Sequence, residues 1–105
     1  MHDSALGVDL SEVDGSAFVT VVGEIDGQSV ATLRAVLDGL ESDKLVQVEM
    51  SGVGFMDSSG LNALIDHALR IERAGGTLRI TNPSRAVSRV VEITGLEPLF
   101  YESQS

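Results

Sequence analysis

The chain has 105 residues, of which sixteen are acidic, seven are basic and none is cysteine, and its formal charge is −9. This length fits one domain over residues 1–105, and the lack of cysteine excludes disulfides, thiol nucleophiles and thiolate metal sites. The acidic balance repels phosphate backbones and anionic headgroups over about 8 Å, and no segment approaches the ~20 apolar residues of a membrane span, so we expect no direct binding to nucleic acid or to a membrane.

The first part of the chain predicts a β-hairpin followed by a helix. Apolar residues alternate from residue 6 to residue 10, and the β-branched stretch SAFVTVVG follows a turn near Asp14 and Gly15. Beyond GEIDG, Asp26 or Ser29 is placed to cap a helix that we expect to end around 41–44. Its apolar residues recur at helical spacing, at Val30, Leu33, Val36, Leu37 and Leu40.

The middle of the chain predicts a strand, a loop and a second helix. Residues 45–50, LVQVEM, are short, apolar and β-branched, as in a central strand. Residues 51–57, SGVGFMD, are predicted as a loop, and a helix follows from Ser58 until Gly75 and Gly76 close it. The predicted buried face of this helix consists of Leu61, Leu64, Ile65, Ala68 and Leu69.

The last part of the chain predicts a strand, a third helix and a tail. Residues 77–81, TLRIT, form the strand, after which Asn82 can cap a helix with Pro83 in its first turn and Gly95 at its end. The segment LEPLFYES predicts a short strand or a packed tail. One face of the third helix carries Val87, Val90, Val91 and Thr94.

The order of these elements predicts an α/β fold. A hairpin followed by alternating helices and strands, joined by right-handed crossovers, implies a small mixed β-sheet with an N-terminal hairpin, parallel βαβ units and helices packed on it. The loops that leave the carboxyl ends of the second and third strands then meet at one edge, where ligands and partners usually dock. These loops carry GEIDG and FMDSSG.

The stretch FMDSSG has two interpretations. An aspartate before an apolar helical segment is typical of an N-cap, and this explains Asp57 structurally. It does not explain why a second serine follows, so that Ser58 and Ser59 are adjacent. It also leaves Gly60 unexplained, because glycine in a helix costs about 1 kcal/mol relative to alanine. The glycine indicates that something approaches the backbone closely at this point, so a chemical handle at the start of a helix is the alternative to a cap.

The sequence does not support a catalytic, nucleotide or metal site. No G-x-S-x-G elbow is present, and His67, nine positions after Ser58, falls on the opposite side of the same helix, where it cannot act as the serine's base. We expect His67 at the surface or its boundary. Gly52 and Gly54 are not followed by a phosphate-binding motif. The two histidines are far apart and no carboxylate cluster has ligand spacing, so we expect no metal and no cofactor.

Four stretches of the chain together resemble a known family. GEIDGQSVATLR, SGVGFMDSSGLNALI, GGTLRITNPSRAVSRVVEITGL and LF are similar in order and spacing to STAS domains, over about residues 6–101. Within that family the chain resembles the bacterial anti-sigma factor antagonists, and FMDSSGL is the most specific part of the resemblance.

The resemblance implies a phosphorylation switch in the cytoplasm and no catalytic activity of the chain itself. An anti-sigma factor, which is an ATP-dependent serine kinase, phosphorylates the serine after the aspartate, here Ser58. The unphosphorylated antagonist binds the anti-sigma factor and frees the sigma factor, phosphorylation blocks this binding, and a serine phosphatase restores it. Asp26 falls on the family's acidic position after the second strand. The expected partner-binding residues are Glu24, Asp26, Asp57, Ser58, Ser59, Gly60 and Asn62.

Two other hypotheses belong to different classes. The chain could be a STAS scaffold subunit of a larger signalling or lipid-transport assembly, with Ser58 acting only as a helix cap. It could also be a small enzyme that uses Ser58 as a covalent phosphoryl or acyl carrier. A serine at position 58 favours the switch over the scaffold, and the lack of a nearby base counts against the enzyme.

Overall fold

The computed structural model describes residues 6–40 and 44–101, and within them the chain forms four strands and four helices. The sheet order is β1-β2-β3-β4, with β1 antiparallel to β2 and the other neighbours parallel. This confirms the α/β class and the hairpin followed by parallel βαβ units. The strands are β1 Gly7–Val13, β2 Ser16–Ile25, β3 Leu45–Met56 and β4 Thr77–Thr81, and the helices are α1 Val30–Asp38, α2 Ser58–Arg73, α3 Arg85–Thr94 and α4 Glu97–Phe100.

The hairpin turns where the sequence predicts it. Asp14 and Gly15 both have positive φ angles, 52° and 81°, which a two-residue hairpin turn of the primed type requires. Val13 therefore pairs with Ser16, and this register continues to the pair Gly7 and Val22.

One face of the sheet carries the core. Along β2 and β3, buried apolar residues alternate with exposed or half-buried ones, as expected for a sheet with one covered face. The uncovered face of β2 includes Phe18, Thr20, Val22 and Glu24. The core joins Val19, Val21, Ile25, Val46, Val48 and Met50 of the sheet to Leu33, Leu37, Leu64, Ile71, Val87 and Val91 of the helices.

The prediction of a loop over 51–57 is wrong, because β3 continues to Met56. Gly52 and Gly54 are weak strand residues by composition, yet this half of β3 pairs with β2, for example Glu24 with Phe55. Register shifts along the pairing accommodate the irregular part. Val53 and Met56 are buried, so core packing holds the strand where its propensity is low.

The third helix begins two residues later than predicted. Asn82 has a left-handed φ of 47° and does not cap α3. The cap is Ser84, whose Oγ accepts a hydrogen bond from the Val87 N–H at 3.2 Å. Gly95, with a φ of 72°, ends the helix as predicted. The tail packs as the short helix α4, in which Phe100 is fully buried.

The prediction that His67 lies at the surface or its boundary is wrong, because the residue is buried. The buried face of α2 is rotated from the predicted one, so that His67 is buried whereas Leu69 is exposed. His67 Nε2 lies 3.3 Å from Asp38 Oδ1 of α1, and its Nδ1 lies 3.0 Å from Arg70 Nη2. The side of α2 opposite Ser58 is thus in contact with α1. Burial, assisted by the Arg70 charge, lowers the pKa of the His67 imidazole.

Candidate functional site

The ends of β2 and β3 bring the two predicted loops together. The Asp57 N–H donates to the Ile25 carbonyl at 3.1 Å, and Ile25 pairs with Met56 in the sheet. The turn that contains Asp26 therefore adjoins the turn that contains Asp57, as expected for neighbouring parallel strands.

The β3–α2 turn is organised by Asp57, the N-cap of α2. Its Oδ1 accepts hydrogen bonds from the Ser59 N–H at 2.9 Å and from the Ser59 hydroxyl at 2.5 Å. Its carbonyl accepts the N–H of Leu61 at 3.2 Å. These bonds confirm Asp57 as the cap and fix the Ser59 side chain in place.

Ser58 differs from its neighbour. It is the first residue of α2 and is exposed. Within residues 6–40 and 44–101, no hydrogen bond engages its hydroxyl group, whereas the hydroxyl of half-buried Ser59 is bonded to Asp57. The Ser58 oxygen is therefore open to a reagent or partner at the N-terminus of a helix, where the backbone favours anions.

The β2–α1 turn contains a second aspartate–serine pair. Asp26 Oδ1 accepts the N–H groups of Gln28 at 3.0 Å and Ser29 at 2.9 Å. Ser29 Oγ accepts the Asp26 N–H at 3.0 Å and donates to the Glu24 carbonyl at 2.7 Å. Ser29 is the N-cap residue of α1, but its side chain makes no capping hydrogen bond to the helix. The two predicted caps instead bond to each other and hold the turn that precedes α1.

Hydrogen bonds lower the pKa values of both aspartates. The Ser59 hydroxyl lowers the pKa of Asp57, and the neighbouring Asp26 charge opposes this shift. The Ser29 N–H, followed by the Gln28 N–H, lowers the pKa of Asp26. With exposed Glu24 beside them in the sequence, the two carboxylates make this part of the surface negatively charged.

Gly60 is explained by packing inside the chain. It is buried, and a Cβ at this position would lie 2.6 Å from Ile25 Cγ2 and 2.7 Å from Met56 Cγ. The close approach that the sequence indicates is therefore made by the ends of β2 and β3, and this packing is a sufficient reason for a glycine at position 60. Among the other expected partner-binding residues, Glu24, Ser58 and Asn62 are exposed, and Asp26, Asp57 and Ser59 are half-buried.

A groove that the sequence does not reveal adjoins the site. It has a volume of about 450 Å³ and lies between Phe55 and Met56 of β3 and Arg85, Arg89 and Val90 of α3. Met56 immediately precedes Asp57, so the groove adjoins the β3–α2 turn that contains Ser58. An aromatic residue at position 55 is the only indication of this groove that the sequence offers. Because residues 51–57 are predicted as a loop, the sequence does not place Phe55 on a strand.

The described residues contain neither a metal-binding cluster nor a membrane-spanning helix. No group of three or more histidine, aspartate or glutamate side chains is arranged there to hold a metal ion. No helix in that part of the chain combines the length and apolar character needed to cross a membrane.

The chain belongs to the STAS domain family, whose model matches residues 8–104. It is 30% identical over 95 residues to the anti-sigma-B factor antagonist of Bacillus subtilis (strain 168). These 95 residues cover 90% of this chain and 87% of that relative. This relative is an anti-sigma factor antagonist.

Solved structures share the fold. The crystal structure of an anti-sigma factor antagonist from Mycobacterium paratuberculosis has a TM-score of 0.77 at 24% identity, covering 94% of this chain and 87% of that one. The Bacillus cell fate determinant SpoIIAA in its phosphorylated form has a TM-score of 0.71 at 23% identity, covering 94% and 93%. The fold also occurs within the murine anion transporter Slc26a9, with a TM-score of 0.69 at 22% identity, covering 84% of this chain and 15% of the transporter.

Proposed function

We propose that this chain is a cytoplasmic anti-sigma factor antagonist whose binding is controlled by phosphorylation of Ser58. In the unphosphorylated state it binds an anti-sigma factor that is also a serine kinase, and the sigma factor is released. Phosphate on Ser58 blocks binding, and a serine phosphatase restores it. The chain needs no catalytic activity or cofactor of its own. The antagonist function of the B. subtilis relative supports this proposal.

The observation that carries the proposal is the difference between two adjacent serines. Ser58 is exposed and its hydroxyl is unbonded in the described part of the chain, whereas the Ser59 hydroxyl is bonded to Asp57 Oδ1 at 2.5 Å. A kinase can reach the first without breaking an existing bond. Phosphorylation of the second would remove a bond that holds the cap of α2.

The surrounding charges support an effect on docking rather than on folding. A phosphate adds about −1.5 to −2 charges at pH 7, next to ionised Asp57 and Asp26. The N-terminus of α2 favours an anion at Ser58, so the fold tolerates the modification. A partner that matches the unmodified surface meets new charge and bulk. If these together cost about 3 kcal/mol, affinity falls more than about 100-fold.

Phosphate mapping tests the proposal. The chain is incubated with ATP and each purified anti-sigma factor kinase from the source genome, and the product is analysed by intact mass and peptide fragmentation. One kinase should add a single phosphate on Ser58, Ser59→Ala should still be modified, and Ser58→Ala should not. A phosphate on Ser59 would contradict the assignment of the site. No phosphate with any of the kinases would contradict the switch.

A scaffold function is the second candidate, and the similar fold within Slc26a9 is the observation that favours it. Under this alternative the chain is a subunit of a larger signalling or transport assembly, and Ser58 only begins α2. The same incubation separates the candidates, because a scaffold remains unmodified and co-purifies with its assembly regardless of ATP.

A further inference from the structure

The groove beside the site, which we call the Phe55 groove, is formed by residues 54–56 of β3 together with Arg85, Arg89 and Val90 of α3. The Phe55 side chain is 47% exposed. The Ser84 N–H donates to the Met50 carbonyl at 3.2 Å, which anchors the start of α3 beside β3. The groove therefore has a fixed wall on each side and an exposed aromatic side chain at its edge.

The two arginines do not serve the helix that carries them. Arg85 is the first residue of α3, where a cation opposes the helix dipole, and Arg89 lies one turn later, where two like charges repel. Neither forms an ion pair with a carboxylate in the described part of the chain. In a chain of charge −9 with seven basic residues, two unpaired arginines one turn apart mark a local positive surface.

The strand bends directly before Phe55. Gly23 pairs with Val53 and Glu24 pairs with Phe55, so Gly54 is an extra residue of β3 at a β-bulge, which is a common position for a strand glycine. A bulge bends its strand and changes the direction of neighbouring side chains. This bulge adjoins the exposed side chain of Phe55.

We propose that the Phe55 groove binds an acidic segment of the anti-sigma factor, with an apolar anchor side chain placed between flanking carboxylates. The anchor packs against Phe55 and Val90, and the carboxylates pair with Arg85 and Arg89. Aromatic and arginine side chains are the residues that most often dominate binding energy at interfaces. This inference rests on the proposed function and adds a second contact surface, separate from Ser58, with the opposite charge.

Titration calorimetry against the anti-sigma factor that modifies the parent chain tests this inference. Phe55→Ala should bind about 30-fold more weakly. The double variant Arg85→Ala/Arg89→Ala should bind at least about 10-fold more weakly, and its affinity should depend less on salt than that of the parent.

Matched controls lie outside the groove. Arg73→Ala/Arg79→Ala removes the same charge, and Ile93→Ala truncates a side chain of α3 that is 77% exposed. Both should bind within about twofold of the parent, as expected for surface substitutions away from an interface.

The outcomes separate this inference from the proposed function. If the parent binds and the two groove variants bind equally well, the inference is overturned and the proposed function stands. If the parent binds none of the kinases, the proposed function is overturned and the inference with it. If sedimentation shows that the parent forms a dimer that Phe55→Ala dissociates, the occupant is a second copy of this chain, which also overturns the inference.

Discussion

Two turns at the same edge of the sheet each pair an aspartate with serine, and they use the hydroxyl group differently. In the β2–α1 turn, Ser29 Oγ both accepts from Asp26 and donates to Glu24. In the β3–α2 turn, the Ser59 hydroxyl donates to Asp57. The hydroxyl of Ser58 forms no hydrogen bond in the described part of the chain. One turn thus uses its serine entirely for folding, and the other has an additional serine available for chemistry.

Removal of the Ser58 and Ser29 hydroxyl groups should give the largest difference between the two turns, in phosphorylation and in stability. Ser58→Ala should accept no phosphate and change the free energy of unfolding by no more than about 0.5 kcal/mol, as is usual for an exposed site. Ser29→Ala should still accept phosphate but lose about 1–2 kcal/mol, because two hydrogen bonds disappear. Intact mass and urea denaturation measure both. Equal destabilisation by the two substitutions would show that the hydroxyls have similar roles.

The glycines of the two turns should respond in opposite directions. Gly60→Ala should lose about 1–3 kcal/mol, because its Cβ overpacks the core against Ile25 and Met56. Gly27→Ala meets no atom within 4 Å, so it should be neutral or gain up to about 1 kcal/mol from the lower entropy of the unfolded chain. Urea midpoints for the two variants provide the measurement. Full stability of Gly60→Ala would contradict the packing described for the start of α2.

Removal of the aspartates should affect stability equally and phosphorylation unequally. Asp57→Ala and Asp26→Ala should each lose about 0.5–2 kcal/mol, because Asp57 caps α2 and Asp26 accepts two backbone N–H groups in the turn before α1. Only Asp57→Ala frees the Ser59 hydroxyl and loosens the first turn of α2, so it should also be a poorer kinase substrate. Thermal melts and initial phosphorylation rates measure the two effects. Normal kinetics with a lowered melting temperature would reduce Asp57 to a purely structural role.

The effect of pH on Asp26 and Asp57 should be the smallest of the effects predicted for the two turns. Because hydrogen bonds lower the pKa values of Asp26 and Asp57 in the folded state, both stabilise the fold above their unfolded value of about 3.9. This stability is lost as pH falls through the folded-state pKa values. Asp26→Asn removes the charge that raises the pKa of Asp57, so the Asp57 pKa should fall further.

Carboxyl carbon chemical shifts followed by NMR measure the Asp57 titration. Asp38→Asn is the control. Asp38 lies on α1 next to His67 of α2, so this substitution should leave the Asp57 pKa unchanged. An unchanged Asp57 pKa in Asp26→Asn would show that the two turns are electrostatically independent.

Local patterns predict the elements of this fold better than its contacts. The hairpin turn, β4 and the end of α3 follow from Asp14 and Gly15, from TLRIT and from Gly95, because each depends on nearby residues alone. The second half of β3 does not follow from local pattern, because pairing with β2, rather than the propensity of Gly52 and Gly54, makes it a strand. The burial of His67 depends on α1, which its own helical pattern does not show.

The candidate site follows the same division. The cap at Asp57 and its proximity to the Asp26 turn could be predicted, since a cap is local and parallel strands end at one edge. The reason for Gly60 could not, because Ile25 and Met56 reach it through the tertiary fold. Which of two adjacent hydroxyls is unbonded depends on side-chain geometry that no sequence pattern specifies.

The affinity of the phosphorylated chain for its anti-sigma factor tests the central claim most directly. Parent and enzymatically phosphorylated proteins are titrated against the kinase without ATP, at low and high ionic strength. The phosphorylated protein should bind more than about 100-fold more weakly, with part of the loss recovered at high salt. Its melting temperature should stay within a few degrees of the parent, because the helix N-terminus favours the anion. Equally tight binding by the two forms would contradict the switch.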